Sequence, residues 1–186
     1  MKLNSKQLRS LQTADVRLPR LRKSAVGRRN AIYIILDNVL DTYNIGSIFR
    51  LADAVAAKKI YLCKGSETPP NHRIKKASVN TAEIVAWEYF ESTIDAINDL
   101  RSTIPDIQIV SVELTKNSVP YDKYNYKFPV AFVVGHETDG VSEDILKISD
   151  AVIELPMHGI NISLNVMVSL SIVLYKALEK VYDEKR

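Results

Sequence analysis

The sequence predicts an α/β fold in which a mostly parallel sheet carries helices on both faces. Short apolar runs rich in β-branched residues alternate with segments of helical periodicity from residue 30 onward, a pattern typical of βαβ units. Several runs, such as residues 32–36 and 130–134, are almost wholly apolar, as expected for parallel strands buried on both faces. A length of 186 residues suits one domain, or one domain with a small appendage.

The elements can be assigned in order along the chain. Residues 1–29 are predicted to form a basic helical extension, interrupted at Pro19, and residues 30–186 form the main domain. Strands are predicted for the apolar runs at residues 32–36, 59–63, 84–89, 107–112, 130–134 and 151–155. Helices are predicted at residues 44–56, 73–76, 93–100, 142–148 and 164–182.

Local signals favour particular boundaries. Asn44 is a plausible N-cap for the first helix of the main domain, and Ser163 or Asn165 for the last, because such side chains accept hydrogen bonds from free amides. Pro120 argues against regular structure in the tyrosine-rich connection at residues 116–128. Its tyrosines either stack on exposed bases or pack at a domain or subunit surface, and packing is the favoured interpretation.

Positive charge is concentrated at the start of the sequence. The first 29 residues contain nine lysines and arginines and only one acidic residue, Asp15, although the net charge of the chain is +3. This distribution favours a polyanionic partner, since lysine and arginine contacts to phosphate carry most non-specific affinity for nucleic acids; the alternative is a solvated amphipathic helix. The candidate RNA contacts are Arg20, Arg22, Lys23, Arg28, Arg29, Arg73, Lys75 and Lys76.

Several classes of protein are disfavoured. Cys63 is the only cysteine, which excludes an intrachain disulfide and paired-cysteine zinc sites and favours a reducing, cytoplasmic location. The start of the chain lacks the apolar core of a secretory signal, and the longest apolar run, at residues 164–175, is shorter than the roughly 20 residues that span a bilayer. The glycines form no G-x-G-x-x-G or Walker A loop, and the histidines lack metal-binding spacing. We expect neither a membrane nor a metal partner.

Polar residues interrupt the apolar pattern at three places, residues 44–50, 135–140 and 156–165. Each segment follows a predicted strand and leads into a predicted helix. Ligands bind at the carboxyl ends of the strands in open α/β sheets. Each segment alone could be a helix cap or a glycine turn, but three of them at one edge of one sheet predict a shared site.

These segments carry a resemblance to a known family. Their patterns are Asn44-x-Gly46-x-x-x-Arg50, then Gly135-x-Glu137-x-x-Gly140, and then Pro156-Met157-x-Gly159 running into Ser163-Leu164-Asn165. In this order and spacing, over about residues 31–182, they resemble the three motifs of the SPOUT superfamily. The specific resemblance is to the TrmH-like RNA ribose 2′-O-methyltransferases.

The resemblance implies a fold, a cofactor and an assembly. It implies an α/β domain with a deep C-terminal trefoil knot, S-adenosylmethionine bound at the knot, and a homodimer with its active site near the subunit interface. The implied cofactor-binding residues are Gly135, Glu137, Gly140, Ile153, Leu155, Met157, Gly159, Ser163 and Leu164. The implied catalytic residues are Asn44, Arg50, Glu137, Ser163 and Asn165. His136 and the bulky residues 167–170 depart from the family pattern and leave the substrate open.

The implied activity is methyl transfer from S-adenosylmethionine to the ribose 2′-hydroxyl of a nucleotide in tRNA or rRNA, and the short length of the chain favours tRNA.

The role of Arg50 is limited by its chemistry, because a guanidinium keeps its proton in proteins. We therefore expect Arg50 to bind an RNA phosphate and to stabilise negative charge on the 2′-oxygen rather than to act as the base. Two alternatives stay open: a knotted RNA-binding or ribosome-assembly factor without catalysis, and a methyltransferase that acts on a base.

Overall fold

The computed structural model describes residues 29–183 and contains, within that range, seven strands, five α-helices and a 3₁₀ turn at Thr81–Glu83. The strands are β1 (Asn30–Asp37), β2 (Ala57–Cys63), β3 (Trp87–Phe90), β4 (Gln108–Val112), β5 (Val119–Pro120), β6 (Val130–Gly135) and β7 (Ala151–Glu154). The helices are α1 (Thr42–Ala54), α2 (His72–Ser78), α3 (Thr93–Thr103), α4 (Glu143–Ile148) and α5 (Val166–Asp183). The helix predicted for the start of the chain lies outside the described residues, apart from Arg29.

The strands form one parallel sheet, which confirms the predicted α/β class. Their order across the sheet is β3-β2-β1-β6-β4-β7-β5, and every neighbouring pair runs parallel. Strands β2 and β3 lie on one side of β1 and the later strands on the other, so β1 and β6 flank a topological switch point, where ligands bind in such sheets. Asp37 lies opposite Gly135 in the register, which makes the segments after these two strands neighbours.

Two apolar cores cover the two faces of the sheet. Ile32, Ile34 and Leu36 of β1 point to one face and pack with apolar residues of α1, α2 and α5. Tyr33 and Ile35 point to the other face and pack with α3 and α4. This alternation follows from the two-residue period of a strand, and it confirms the prediction of helices on both faces.

Helix α1 begins with a different cap from the predicted one, whereas helix α5 begins with one of the two predicted caps. Helix α1 begins at Thr42, and its N-cap is Asp41, whose side chain accepts a 2.8 Å hydrogen bond from the Tyr43 amide. Asn44 is therefore not a cap but a buried residue of the first turn, free to bond elsewhere. Helix α5 begins at Val166, and the Asn165 side chain accepts hydrogen bonds from the first free amides, as the sequence allowed.

The connection around Pro120 is more regular than predicted. Val119–Pro120 forms the short strand β5, which pairs with β7 at the edge of the sheet. Proline is tolerated there because an edge strand can leave one side of its backbone unpaired. The packing interpretation of the tyrosines is confirmed for Tyr126, which is buried against Phe132 and donates a 2.7 Å hydrogen bond to the Tyr121 carbonyl. The third strand begins at Trp87, not at residue 84.

Candidate active site

The three polar segments predicted to share a site are joined by a chain of side-chain hydrogen bonds. The Asn44 amide nitrogen donates to Glu137 Oε1 at 3.0 Å. The Asn165 amide nitrogen donates to Asn44 Oδ1, also at 3.0 Å. Asn165 Oδ1 in turn accepts from the first amides of α5. Because both groups of each amide are engaged, the orientations of Asn44 and Asn165 are fixed by these partners.

Glu137 is held as an ionised acceptor. Besides the Asn44 amide, its carboxylate receives the backbone amides of Leu40 at 3.2 Å and Asp41 at 3.0 Å. Partial burial acts to raise the pKa of Glu137, but these hydrogen bonds to the charged form outweigh burial and hold the pKa below its ordinary value of 4.5. Glu137 therefore remains a carboxylate near neutral pH and orients Asn44 rather than donating a proton.

The loop after β6 has a shape that two glycines permit. His136 and Gly140 exchange backbone hydrogen bonds of 3.0 and 2.9 Å, which close a tight loop. A Cβ at Gly135 would lie 2.1 Å from the Gly140 backbone, and Gly140 has φ +70 with the Glu113 carboxylate against it. The imidazole of His136 also accepts the amides of Thr138 and Asp139 at its Nδ1. This departure from the family pattern thus has a structural role.

A cavity of about 490 Å³ opens beside the hydrogen-bonded side chains. It is bounded by the ends of β4, β6 and β7, by the loop after β6 and by the segment before α5. Of the predicted site residues it is lined by Gly135, Glu137, Gly140, Leu155, Met157, Ser163, Leu164 and Asn165.

Two predicted cofactor residues do not line this cavity. Ile153 is fully buried in the core on the α1 and α5 face. Gly159 lies on an exposed stretch, and a Cβ placed on it would meet nothing within 4 Å. Conversely, Glu113 and Glu154 line the cavity although sequence reasoning missed them. Their position at or just after the ends of β4 and β7 was the available signal, because those ends share an edge with β6.

Arg50 lies apart from the hydrogen-bonded cluster. It follows Asn44 by six residues on α1, which at about 100° per residue turns its side chain well away from that of Asn44. Arg50 is exposed and, within residues 29–183, makes no hydrogen bond or ion pair. Ser163 is also exposed on the cavity wall and has no hydrogen bond to the described residues. Both side chains are free to bind a ligand.

The predicted RNA contacts fall into distinct environments. Arg73 and Lys76 are exposed on α2 and have no ion-pair partner among the described residues. Lys75 on the same helix is paired with Glu83 at 2.6 Å. Arg29 donates a 2.9 Å hydrogen bond to the Ala57 carbonyl and so ties the start of the domain to β2. Residues 20–28 lie outside the described part of the chain.

Two negative observations concern the part of the chain between residues 29 and 183. No helix in that range has the length and apolarity needed to cross a membrane. In the same range, histidine, cysteine and acidic side chains nowhere gather in a group able to hold a metal ion.

Comparison with known proteins identifies the family. Residues 31–175 match the SpoU rRNA Methylase family. The tRNA (guanosine(18)-2′-O)-methyltransferase of Aquifex aeolicus (strain VF5) is 34% identical over 174 residues, which are 92% of this chain and 79% of that protein. The chain therefore belongs to the SpoU methylase family, which confirms the resemblance to the TrmH-like enzymes.

Solved structures agree with this assignment. The crystal structure of the A. aeolicus TrmH/SpoU tRNA modifying enzyme superposes with a TM-score of 0.78 at 30% identity, covering 89% of this chain and 83% of that one. An AdoMet-bound rRNA methyltransferase from Sinorhizobium meliloti gives a TM-score of 0.75 at 26% identity, covering 95% of this chain and 70% of that one. The seven-stranded parallel sheet and its helices are thus the fold of this family.

Proposed function

We propose that this protein transfers a methyl group from S-adenosylmethionine to the ribose 2′-hydroxyl of a nucleotide in tRNA or rRNA. The observation that carries the proposal is the hydrogen-bonded series Glu137–Asn44–Asn165 beside the cavity, because it unites all three motifs at one edge of the sheet. The family match and the tRNA- and rRNA-methylating relatives support the reaction class. A role without catalysis would not require this arrangement.

The cavity fits the proposed cofactor in size and charge. A volume of about 490 Å³ falls within the roughly 300–1,000 Å³ of small-molecule sites. Its walls carry the carboxylates of Glu113, Glu137, Asp139 and Glu154 and, within residues 29–183, no lysine or arginine. Such a lining suits a ligand with a sulfonium and an ammonium group. When bound, the cofactor supplies the electrophilic methyl group, and Gly135, Gly140, Leu155, Met157 and Leu164 would hold it.

The chain contributes positioning and charge. Glu137 fixes Asn44, and Asn165 receives its orientation from Asn44 and from the start of α5. These amides and the Ser163 hydroxyl orient the ribose against the cofactor, and such positioning can supply roughly 7–11 kcal/mol of the barrier. Arg50, exposed and unpaired among the described residues, binds an RNA phosphate and stabilises charge on the 2′-oxygen. Its guanidinium retains its proton throughout, so the proton released from the 2′-hydroxyl on methyl transfer passes to bulk water at this exposed site.

The proposal includes a knotted C-terminal segment and a homodimer. The path of the chain after β7 supports the knot. Counted from β1, strand β7 lies beyond β6 and β4 in the sheet. The segment that follows β7 nevertheless returns to α1, where Asn165 contacts Asn44 and α5 packs against α1. In support of the dimer, Val168 and Tyr175 are 37% and 55% exposed and lie seven residues apart on one face of α5. A partner copy would cover these two exposed apolar side chains in the proposed dimer.

RNA is the proposed macromolecular partner. Arg73 and Lys76 on α2 offer unpaired charges to phosphates, and the arginines and lysines of residues 1–29 add a dense positive charge. The proposed location is the cytoplasm, in keeping with the single cysteine.

Methyl incorporation tests the proposed function. Radiolabelled S-adenosylmethionine is incubated with the protein and with bulk tRNA or rRNA from cells that lack it, and the RNA is digested to nucleosides. We expect a labelled 2′-O-methylnucleoside. Asn44→Ala is expected to lower the rate by at least about a hundredfold, the usual loss when a preorganised polar group is removed from an active site.

Asn98→Ala is the matched control, since Asn98 is exposed on α3, on the opposite face of the sheet. It is expected to retain the wild-type rate. Labelled methyl groups found on bases would refute transfer to ribose. A wild-type protein that binds the cofactor but labels neither RNA would refute both bulk substrates, and absence of cofactor binding would refute the enzyme itself.

A further inference from the structure

A second carboxylate lies outside the site just described. Asp37 ends β1 and is only 1% exposed. Its Oδ2 accepts the Ser142 amide at 2.9 Å and the Ser142 hydroxyl at 2.6 Å. Its Oδ1 accepts the Thr93 hydroxyl at 2.6 Å and lies 3.0 Å from the Lys64 ammonium. Nothing in the proposed chemistry uses this buried group, yet Ser142 ends the loop that follows β6.

The contacts of Asp37 and Glu137 are reciprocal. We call residues 37–44 the β1–α1 segment and residues 136–142 the β6–α4 loop. Asp37 of the β1–α1 segment receives the amide and hydroxyl of Ser142 in the β6–α4 loop. Glu137 of the β6–α4 loop receives the amides of Leu40 and Asp41 and the side chain of Asn44 in the β1–α1 segment. Each segment therefore supplies one carboxylate and several donors to the other.

The two carboxylates act on opposite faces of the sheet. Asp37 follows Tyr33 and Ile35 in the alternation of β1 and so points towards the face covered by α3 and α4. Glu137 bonds to the start of α1, which covers the other face. A loop held on both faces cannot pivot about either contact alone.

Ser142 shows that the contact with Asp37 has a cost. Ser142 occupies the N-cap position of α4, where a serine side chain ordinarily bonds the free amides of the helix. Here it makes no capping hydrogen bond. Its hydroxyl instead donates to Asp37 and accepts from Lys64 at 3.1 Å. The Ser142 hydroxyl therefore stabilises the contact between the two segments instead of the start of helix α4.

We propose that Asp37 is a positioning residue of the methyltransferase site, and that Asp37 and Glu137 together form a reciprocal carboxylate clamp which holds the β6–α4 loop against the β1–α1 segment. The inference rests on the proposed function for its role in cofactor binding, because the clamped loop forms one wall of the cavity. The Lys64 ammonium, partly exposed, balances the buried charge. Asp37 does not line the cavity and acts through the loop.

Amide hydrogen exchange tests the clamp without any ligand. In Asp37→Asn, exchange of the Ser142 amide is expected to accelerate about tenfold or more, the factor that one hydrogen bond to a charged group typically represents. The reciprocal arrangement requires that the amides of Leu40 and Asp41 accelerate as well. Faster exchange confined to Ser142 would overturn the clamp, because the two carboxylates would then act independently.

Cofactor affinity, measured by calorimetry with S-adenosylmethionine, tests the functional role. Ser142→Ala and Thr93→Val each remove one hydroxyl donor to Asp37, but only Ser142 belongs to the β6–α4 loop. Both are expected to lower the melting temperature. Ser142→Ala is expected to raise the Kd about tenfold, and Thr93→Val to leave it within about twofold.

Three outcomes are distinguishable. Equal changes in Kd for the two variants would reduce Asp37 to a general stabiliser and overturn its positioning role. If Asp37→Asn does not fold, exchange measured on Ser142→Ala decides the same question, since that variant keeps the carboxylate. If the wild-type protein does not bind S-adenosylmethionine, the proposed function fails, and exchange at Leu40 and Asp41 still decides whether the clamp exists.

Discussion

At the scale of single residues, two carboxylates organise hydrogen bonds at the candidate site, Asp37 from a buried position and Glu137 from an exposed one. Burial acts to raise the pKa of Asp37, but hydrogen bonds from Ser142 and Thr93 and the nearby Lys64 ammonium hold it below its ordinary value of 3.8. Glu137 shows the same balance. Sequence reasoning found Glu137 because it stands between two glycines after an obvious strand. It missed Asp37, since an aspartate at the end of a strand resembles any loop residue.

Acid should remove the contribution of Asp37 to stability. A folded pKa below the unfolded one means that the contribution is complete above about pH 4, the ordinary value, and is lost as the pH falls through the folded pKa. We expect Asp37→Asn to cost about 2–3 kcal/mol of unfolding free energy at neutral pH. The difference from wild type should shrink below about pH 4.

Urea unfolding at several pH values measures this difference. Asp122→Asn serves as the control, because Asp122 is exposed and surface substitutions usually change stability by less than about 0.5 kcal/mol. A constant difference between wild type and Asp37→Asn from pH 7 down to pH 2 would contradict the ionised state of Asp37.

At the scale of elements, strands and helices were predictable, whereas their boundaries depended on contacts that the sequence does not display. Helix α1 starts at Thr42 because Asp41 caps it, and this releases Asn44 to bond Glu137 and Asn165. Pro120 is accommodated in a strand because β5 is the edge strand and pairs only with β7, so one side of its backbone needs no partner. Local propensity cannot anticipate such tertiary choices.

Gly46 illustrates an element-scale constraint inside the first motif. Helices α1 and α2 cross so closely that a Cβ at Gly46 would lie 2.6 Å from Ala77 Cβ and 2.7 Å from the Ile74 carbonyl oxygen. Alanine in a helix ordinarily stabilises by about 1 kcal/mol relative to glycine. Here we expect Gly46→Ala to destabilise by about 1–3 kcal/mol through overpacking. Denaturant unfolding measures the effect.

Ser47→Ala is the matched control for this prediction. Ser47 is the next residue of α1 and is only partly buried, so it should show the ordinary helix preference and remain within about 0.5 kcal/mol of wild type. Equal stabilities of Gly46→Ala and Ser47→Ala would show that α2 moves aside without cost.

At the scale of the whole molecule, the parallel sheet and its two cores were predictable from periodicity, but the path of the chain was not. The resemblance alone implied a knot, and general rules of chain connection argue against one. The order β3-β2-β1-β6-β4-β7-β5 depends on which strands pair with each other. Apolar strands of similar composition do not indicate in their sequence which strands will be their neighbours. The Glu137–Asn44–Asn165 series emerges only once that order is set.

The proposed homodimer gives a prediction at this scale. Val168→Glu places a charge on the face of α5 that exposes Val168 and Tyr175, and it is expected to convert a dimer of about twice 21.0 kDa into a monomer. Analytical ultracentrifugation measures the mass. Ile94→Glu is the control, because Ile94 is similarly exposed but lies on α3, on the other face of the sheet. A wild-type protein that sediments as a monomer would contradict the dimer.

The hydrogen bonds that assemble the site also set when it can appear during folding. Asn44 bonds to a residue 93 positions later and to another 121 positions later. Contacts between residues so far apart in sequence form late, because large loops must close first. The candidate site is therefore completed only after α5 has docked, so a chain still being synthesised, or arrested before that step, lacks the assembled Glu137–Asn44–Asn165 series. Methylating activity in this protein is thus a readout of completed folding.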